Sequence, residues 1–531
     1  MDLDDILPTV GEFGKYQQLI IWFILLPAVF PCGFHAYNQL FMATVPKHWC
    51  NISNLTNFTE HSGLENISVS NNTIENQCFL RNISQKIPCD EGWMYKDVKT
   101  NSVVSEWNLI CDKDFLVTLA LVVFGISGLV GNYIFGYIQD GWGRKPAYYL
   151  YLLIGCVFGI ATAFATNYAM WVIFRIGVGF TVPAILGTPY VLAIELVGPS
   201  ERTLVTILIN IAYSLSLISL AIIVWAVREW RMMALVTTVP FLALFLTWPL
   251  LPESPRWLLA QGNFDKAQTI LQTMARVNGR QFPKKLITDY KIEKLQDKVN
   301  CKKICKTNYG IHDLFKTKNL KWKTIIITFL WFTNTSVYVG LSYYAPTLGG
   351  DEYLNFFLAG AVELPTYLFL WPAMERLGRR WTLCISMIIG GTSCLATFLV
   401  QNDYVTTLVL YCVGKMGISS SFVVLPLMAS ELYPTVVRGL GMSLSSGIGM
   451  LGPIFIPLVN YLGSDILILP LIIMGTMLIM GGTSSLLLPE TLNQHLPQNL
   501  QDAELTPLDC FAFCNIPQKN VKNKSVFDSR L

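Results

Sequence analysis

The stretch Gly136-Tyr-Ile-Gln-Asp140-Gly-Trp-Gly143-Arg144-Lys145 returns 235 residues later as Trp371-Pro-Ala-Met-Glu375-Arg-Leu-Gly378-Arg379-Arg380, with the acid, the glycine and the basic pair at the same spacing. A second landmark repeats at nearly the same distance. Glu195-Leu-Val-Gly-Pro-Ser-Glu-Arg202 and Glu431-Leu-Tyr-Pro-Thr-Val-Val-Arg438 each set an acid seven residues before an arginine, and they lie 236 residues apart. Two unrelated patterns with one offset mark an internal duplication, so the fold of the first half is expected again in the second.

What lies between these landmarks is mostly apolar. The 531 residues are 53% hydrophobic and 14% charged, whereas roughly a quarter of a soluble domain is charged. Twelve runs are long enough for a hydrocarbon core of roughly 30 Å, which takes about 17–25 residues. They read as 19–42, 115–138, 147–166, 170–194, 204–226, 232–251, 323–345, 353–373, 382–400, 405–429, 440–461 and 466–488. The expected fold class is therefore an all-α integral membrane protein with twelve transmembrane helices in two six-helix halves. Acidic Asp2, Asp4 and Asp5 precede the first run where a cleavable signal would be basic, so it reads as a true span. The net charge of +3 is mild and its basic residues sit in loops, which argues against a nucleic-acid partner.

The sides of the membrane follow from the loops. Between spans 1 and 2, six N-x-S/T sequons cluster at Asn51, Asn54, Asn57, Asn66, Asn71 and Asn82, and glycans are added only on the luminal side. The same loop holds Cys50, Cys78, Cys89 and Cys111. Such an even set forms disulfides in an oxidising compartment, with three pairings open. With that loop outside, counting spans puts the segment between spans 6 and 7 in the cytoplasm. From Glu253 to Lys323 it carries sixteen Lys and Arg against six Asp and Glu, the excess expected of an inside loop. The expected organisation is a cytoplasmic N-terminus (1–18), a first six-helix half (19–251) that includes the glycosylated loop (43–114), and a basic cytoplasmic linker (252–322). A second half (323–488) and a cytoplasmic tail (489–531) follow. The spacing of Phe264, Ala267, Ile270, Leu271 and Met274 predicts a short amphipathic helix in the linker.

The repeated loops read as a latch on the linker side. Small Gly136 would permit close helix approach, and Asp140 would accept hydrogen bonds from a neighbouring helix N-terminus. Gly143-Arg144-Lys145 would form a tight basic turn that pairs with acids such as Glu195. Arg202, Glu375, Arg379, Arg380, Glu431 and Arg438 are the corresponding residues of the other landmarks. A surface ion pair contributes only about 0–1 kcal/mol, a scale suited to contacts that break and re-form. The plainer reading, that the basic turns only enforce topology, is compatible with this one.

The first repeated loop resembles the major facilitator signature, and the second is a weaker copy with Trp371 and Glu375 where Gly and Asp are expected. Arg175-Ile-Gly-Val-Gly179 resembles the superfamily's R-x-x-x-G element. More narrowly, several stretches resemble the organic cation, anion and carnitine transporter family: Gly11-Glu-Phe-Gly14, Glu106-Trp-Asn-Leu-Ile-Cys111, Pro252-Glu-Ser-Pro-Arg-Trp-Leu-Leu259, Gly349-Gly-Asp-Glu-Tyr-Leu-Asn-Phe357 with Glu363-Leu-Pro365, and the Glu431 to Arg438 stretch. The resemblance runs in order over nearly the whole chain. It implies a plasma-membrane carrier working by alternating access, with substrate held between the halves, and no enzymatic activity.

Charges inside spans cost about 2.5–3.5 kcal/mol each and are functional candidates by default. Glu363 in span 8, Lys415 in span 10 and Arg175 in span 4 are such charges. Family members carry an acid and a base at the Glu363 and Lys415 positions, associated with the central cavity. The residues alone leave two readings open, a structural ion pair and a switchable pair contacted by substrate. Trp331, Tyr338, Phe356, Phe357 and Tyr213 would offer an ammonium cation–π contacts of about 0.5–2 kcal/mol each, or would simply pack the bundle. Tyr338 falls at a family position resembling a cavity-lining aromatic. Met450 departs from the family, which often places an acid or an arginine there to match substrate sign.

The mixed Glu363 and Lys415 pair favours small organic cations or zwitterions such as carnitine-like amines. The alternatives are an organic anion carrier, a sugar porter suggested by Pro252-Glu-Ser-Pro255, and a transport-dead receptor. No phosphate-binding glycine loop and no Cys/His metal spacing occurs, so neither a cofactor nor a metal is expected. The partners implied are the substrate, membrane lipid and a coupling ion, sodium or proton. Ser529-Arg530-Leu531 would suit a scaffold domain that binds a C-terminal carboxylate.

Overall fold

The computed structural model describes residues 3–50, 79–81, 86–88, 93–95, 101–282, 310–400, 403–434, 436–463, 468–492, 497 and 504. The sequons at Asn51, Asn54, Asn57, Asn66, Asn71 and Asn82, together with Cys78, Cys89, the Cys50 side chain and the C-terminal Ser529-Arg530-Leu531, lie outside the described residues.

Among the described residues, eleven helices are long and apolar enough to span a membrane. Spans 1 to 6 are Lys15–Met42, Cys111–Trp142, Arg144–Ala163, Tyr168–Leu196, Pro199–Ala226 and Trp230–Thr247. Spans 7 to 11 are Lys318–Leu348, Glu352–Leu377, Arg379–Leu399, Tyr404–Leu432 and Arg438–Leu462. A shorter apolar helix, Leu469–Ser485, forms span 12. The bundle's outer surface exposes large apolar side chains such as Phe23, Leu246, Leu368 and Phe369, the surface that lipid would cover. The linker helix Phe264–Val277 buries Ala267, Leu271 and Met274, as its spacing predicts.

Spans 6, 8 and 11 are each interrupted four residues before a proline. Proline has no N–H to donate to the carbonyl four residues back. Pro240, Pro365 and Pro453 lie four residues after Val236, Ala361 and Gly449, where the leading helices of spans 6, 8 and 11 stop. Span 6 goes on as a 3₁₀ turn, Val239–Thr247, while spans 8 and 11 resume as Glu363–Leu377 and Gly452–Leu462. Glu363 and Met450 thus sit at the two breaks of the second half. Broken spans near the midplane are where carriers of this architecture hold their cargo.

On the first-loop face the two halves touch. The Tyr37 ring of span 1 lies 5.8 Å from Tyr343 and 5.6 Å from Phe356, and Phe41 lies 5.1 Å from Phe356 and 6.0 Å from Tyr353. Tyr461 of span 11 donates to Asp114 Oδ1 at 3.1 Å beside span 2. On the linker face a cavity of about 210 Å³ lies between the halves, lined from one by Ser200, Thr203 and Leu204 and from the other by Trp371, Glu375 and Arg379. The aromatic contacts of Tyr37 and Phe41 close the structure toward the first loop.

Candidate functional site

Glu363 and Lys415 each lie eleven residues from the first-loop end of their spans. At 1.5 Å per residue that is about 17 Å, half of a hydrocarbon core of roughly 30 Å. Both side chains are essentially inaccessible, at 0% and 1% exposed. Glu363 Oε1 accepts Lys415 Nζ at 3.2 Å and Ser419 Oγ at 3.0 Å. Its Oε2 accepts Tyr367 OH at 3.2 Å and the Ser214 hydroxyl. Ser214 belongs to span 5, so one carboxylate joins both halves. Full hydrogen bonding is what permits a buried charge, since an unpaired one is far costlier than a paired one.

The Lys415 ammonium has other neighbours. It donates to Ser342 Oγ at 2.6 Å and lies 3.5 Å from the centre of the Tyr338 ring. Tyr338 is 5.1 Å from Phe422 and 6.4 Å from Tyr213, and Phe422 is 6.3 Å from Trp331. An acid and an aromatic face therefore converge on one cation. Along span 7, Tyr338 OH, Trp331 Nε1 and Asn334 Nδ2 are buried without a hydrogen-bond partner among the described residues. Buried polar groups are rarely left so, and donors in this condition await an acceptor.

Not every expected residue joins this box. Phe356 packs in the first-loop closure with Tyr37 and Phe41, and Phe357 is half-buried on the same helix. Met450 is half-buried at the span 11 break, beside Gly449, where a Cβ would come within 3.1 Å of the Trp331 backbone.

Arg175 sits in the first half, away from Glu363. Its Nε donates to Gln39 Oε1 at 3.0 Å, its Nη2 to His35 O at 3.1 Å and Asn38 Oδ1 at 2.9 Å, and it lies over the Phe124 ring at 5.1 Å. It ties span 4 to span 1 through neutral acceptors.

The repeated loops form two matching networks. Arg144 grips Glu195 with Nε and Nη2, both at 3.1 Å, while its Nη1 meets Asp140 at 3.2 Å and the Gln139 carbonyl at 3.2 Å. Arg379 approaches Glu431 at 3.5 Å, and its Nη1 donates to the Met374 carbonyl at 3.3 Å. Glu375 accepts Trp371 Nε1 at 2.7 Å, and Arg438 Nε donates to the Tyr433 carbonyl at 3.3 Å. Arg202 opens the main helix of span 5, and Arg380 is buried in the first turn of span 9.

Two expectations about these loops need correction. A Cβ on Gly136 would meet nothing within 4 Å, so close helix approach does not account for that glycine. The close approach is instead at Gly131, where a Cβ would lie 1.9 Å from the Phe180 carbonyl. Nor does Asp140 cap a helix N-terminus; its carboxylate is exposed and pairs with Arg144. The cap comes from Glu253, which accepts the Arg144 amide at 2.9 Å and the Lys145 amide at 3.3 Å. Glu490 does the same for the amides of Arg379 at 2.9 Å and Arg380 at 3.2 Å.

These caps explain the glycine before each arginine. Gly143 and Gly378 have φ of +107° and +86°, and a Cβ on either would meet the capping carboxylate at 2.5 Å. Burial raises the Glu253 carboxyl above its usual value, against the pull of the backbone amides and Arg144. Sequence reasoning missed both acids. The signal was present, since Leu251-Pro-Glu253-Ser and Leu488-Pro-Glu490-Thr repeat at an offset of 237.

On the other face Glu106 accepts Trp230 Nε1 at 2.8 Å and pairs with Arg231. Burial alone would raise this carboxyl, and the bonds from Arg231 and Trp230 hold it below its usual value. Cys111 nearby is disulfide-bonded.

Comparison with known proteins bears on what this box serves. The profile of the family described as Sugar (and other) transporter matches residues 55–500. The Drosophila melanogaster Beta-alanine transporter is 52% identical over 566 residues, covering 98% of this chain and 92% of its own length. The human Organic cation/carnitine transporter 2 is 30% identical over 528 residues, covering 94% and 93%. The chain belongs to the organic cation/carnitine transporter family of the major facilitator superfamily. A Drosophila melanogaster Carcinine transporter is 40% identical, covering 95% of this chain and 79% of its own length. A proton:xylose symporter, XylE, shares the fold with a TM-score of 0.61 at 17% identity, covering 92% of this chain and 99% of that one.

This family member is thus a multi-pass membrane transporter of small organic solutes and not an enzyme. Besides the two capping acids, sequence reasoning missed Ser214, Ser342, Tyr367, Ser419 and Phe422. Tyr367 and Ser419 lie four residues after Glu363 and Lys415, a helical spacing that puts them on the same faces. Ser342 stands in the same relation to Tyr338, four residues on, whereas Ser214 and Phe422 lie at no such spacing from a candidate.

Proposed function

We propose that this carrier moves small organic cations and zwitterions bearing an ammonium group, β-alanine and carnitine-like amines among them, across the plasma membrane by alternating access. The observation that carries the reading is a buried acid, Glu363, facing an ammonium that is also in contact with an aromatic ring. Lys415 supplies that ammonium here, and a cargo amine has the same chemistry. The unpartnered donors Trp331 Nε1, Asn334 Nδ2 and Tyr338 OH would serve the carboxylate of a zwitterion. The relatives, β-alanine, carcinine and organic cation/carnitine transporters, point the same way.

In this reading the first-loop face is extracellular and both termini are cytoplasmic. The Arg144–Glu195–Glu253 and Arg379–Glu431–Glu490 networks, with Arg202 and Arg438, hold each half rigid at the cytoplasmic gate while the halves rock. The test is uptake of radiolabelled β-alanine, carnitine and tetraethylammonium by cells expressing the chain, with and without sodium, beside Glu363→Gln. Saturable uptake that disappears in the variant supports the reading, and the sodium arm decides the coupling ion. Absence of uptake of all three, with the protein verified at the surface, rejects it in favour of an organic anion carrier.

A further inference from the structure

The Lys415 ammonium touches Glu363 at 3.2 Å and the Tyr338 ring centre at 3.5 Å, while the Ser214 hydroxyl reaches the same carboxylate from the other half. With both charged side chains sealed from solvent, the halves have met over an acid already neutralised by a cation of the chain itself. We infer that Lys415 is a tethered stand-in for the cargo: it occupies the ammonium position when the carrier is empty, so that the empty carrier closes and returns, and net transport does not require exchange.

The inference rests on the reading of Glu363 as the ammonium site and goes beyond it to the transport cycle. Its physics is the cost of sealing a bare carboxylate away from water, which blocks closure unless some cation lies on the acid. Cargo meets that requirement on the loaded stroke. On the empty stroke a resident cation meets it with no proton or coupling ion needed, and Lys415 is within contact distance on span 10. The lysine also has an alternative hold. Its long stem lets the ammonium stay on Ser342 Oγ at 2.6 Å and the Tyr338 carbonyl at 3.5 Å, both on span 7, when cargo takes Glu363. In that position it remains close to span 7 donors that would face a cargo carboxylate, so displacement need not leave a buried charge unpaired.

The test preloads cells with labelled β-alanine and compares efflux into cargo-free medium with efflux into medium containing unlabelled β-alanine. In the unaltered protein the two rates should be comparable, because the empty carrier returns. In Lys415→Gln, efflux into cargo-free medium should fall relative to exchange by about 100-fold or more, the scale of leaving one member of a buried ion pair alone. Lys415→Arg keeps the cation and should retain both fluxes. Obligate exchange by the unaltered protein would overturn the inference and leave the substrate reading standing, a result that needs no variant to fold. An equal loss of both fluxes in Lys415→Gln would overturn it as well. Absence of any ammonium transport by the unaltered protein would overturn the substrate reading and this inference together.

Discussion

Ser214 of span 5 donates its hydroxyl to the Glu363 carboxylate of span 8, a hydrogen bond that crosses from one half of the molecule to the other at mid-membrane depth. A bond to a buried charge contributes about 1.5–3 kcal/mol. In a carrier poised between two arrangements, that is enough to shift populations by about tenfold or more.

Ser214→Ala should therefore destabilise the state closed toward the first loop. A cysteine placed at Phe356, buried in that closure, should react faster with a membrane-impermeant thiol reagent in the Ser214→Ala background than in the wild-type one. The expected factor is about tenfold. An unchanged labelling rate would mean that the aromatic contacts of Tyr37 and Phe41 set the closure without help from Ser214.

The Glu253 cap should make the linker-face network sensitive to acid. Burial holds its carboxyl above the usual value in the assembled loop, so the assembled form binds a proton more tightly than the opened form. Its contribution is then fully present below the ordinary carboxylate pKa and is lost as pH rises through the raised value. Lowering pH from neutral should therefore tighten the loop in wild type, read as slower proteolysis after Arg144 in inside-out vesicles. Glu253→Gln should flatten that dependence.

Glu106 gives the opposite sign on the other face. The bonds from Arg231 and Trp230 hold its carboxyl low, so the anchor is intact above the ordinary carboxylate range and weakens as pH falls through the lowered value. Glu106→Gln should loosen the anchor above the carboxylate range, by about 1–2 kcal/mol since the Arg231 pair is partly exposed, and should converge on the wild type at acid pH. Limited proteolysis of the first loop on intact cells is the readout.

Two glycines should respond in opposite ways to added methyl groups. Gly131→Ala drives a Cβ into the Phe180 carbonyl, 1.9 Å away in the present packing, and should cut surface expression severely. Gly136→Ala meets open space and should be tolerated or stabilise the helix by about 0.5–1 kcal/mol. Surface biotinylation of the two variants side by side checks both.

Much of the site was legible as candidates and little of it as geometry. Glu363 and Lys415 stand out in the sequence because a charge within a long apolar run is unusual there, and Tyr338 because it falls at a family position resembling a cavity-lining aromatic. Phe356 looked equally eligible, yet it packs against Tyr37 and Phe41 at the first-loop closure. Phe422, which no pattern singled out, packs 5.1 Å from Tyr338. Gly136 looked like a packing glycine and is not one, whereas Gly131, one and a half turns earlier on the same helix, is.

What depends on distance along the chain is legible in the sequence: the length of each apolar run and the 235-residue offset of the repeated loops. Only the tertiary structure decided that Lys415 meets Glu363, that Ser214 reaches across from the other half, and that Glu253 and Glu490 cap the basic turns. The reason is rotational. Each helix can turn about its axis, and in a water-soluble bundle the apolar stripe would set that angle. In a membrane the lipid-facing and the core-facing sides are both apolar, so hydropathy sets the depth of a residue but not the neighbour it faces; packing of small residues and buried polar bonds between helices settles that.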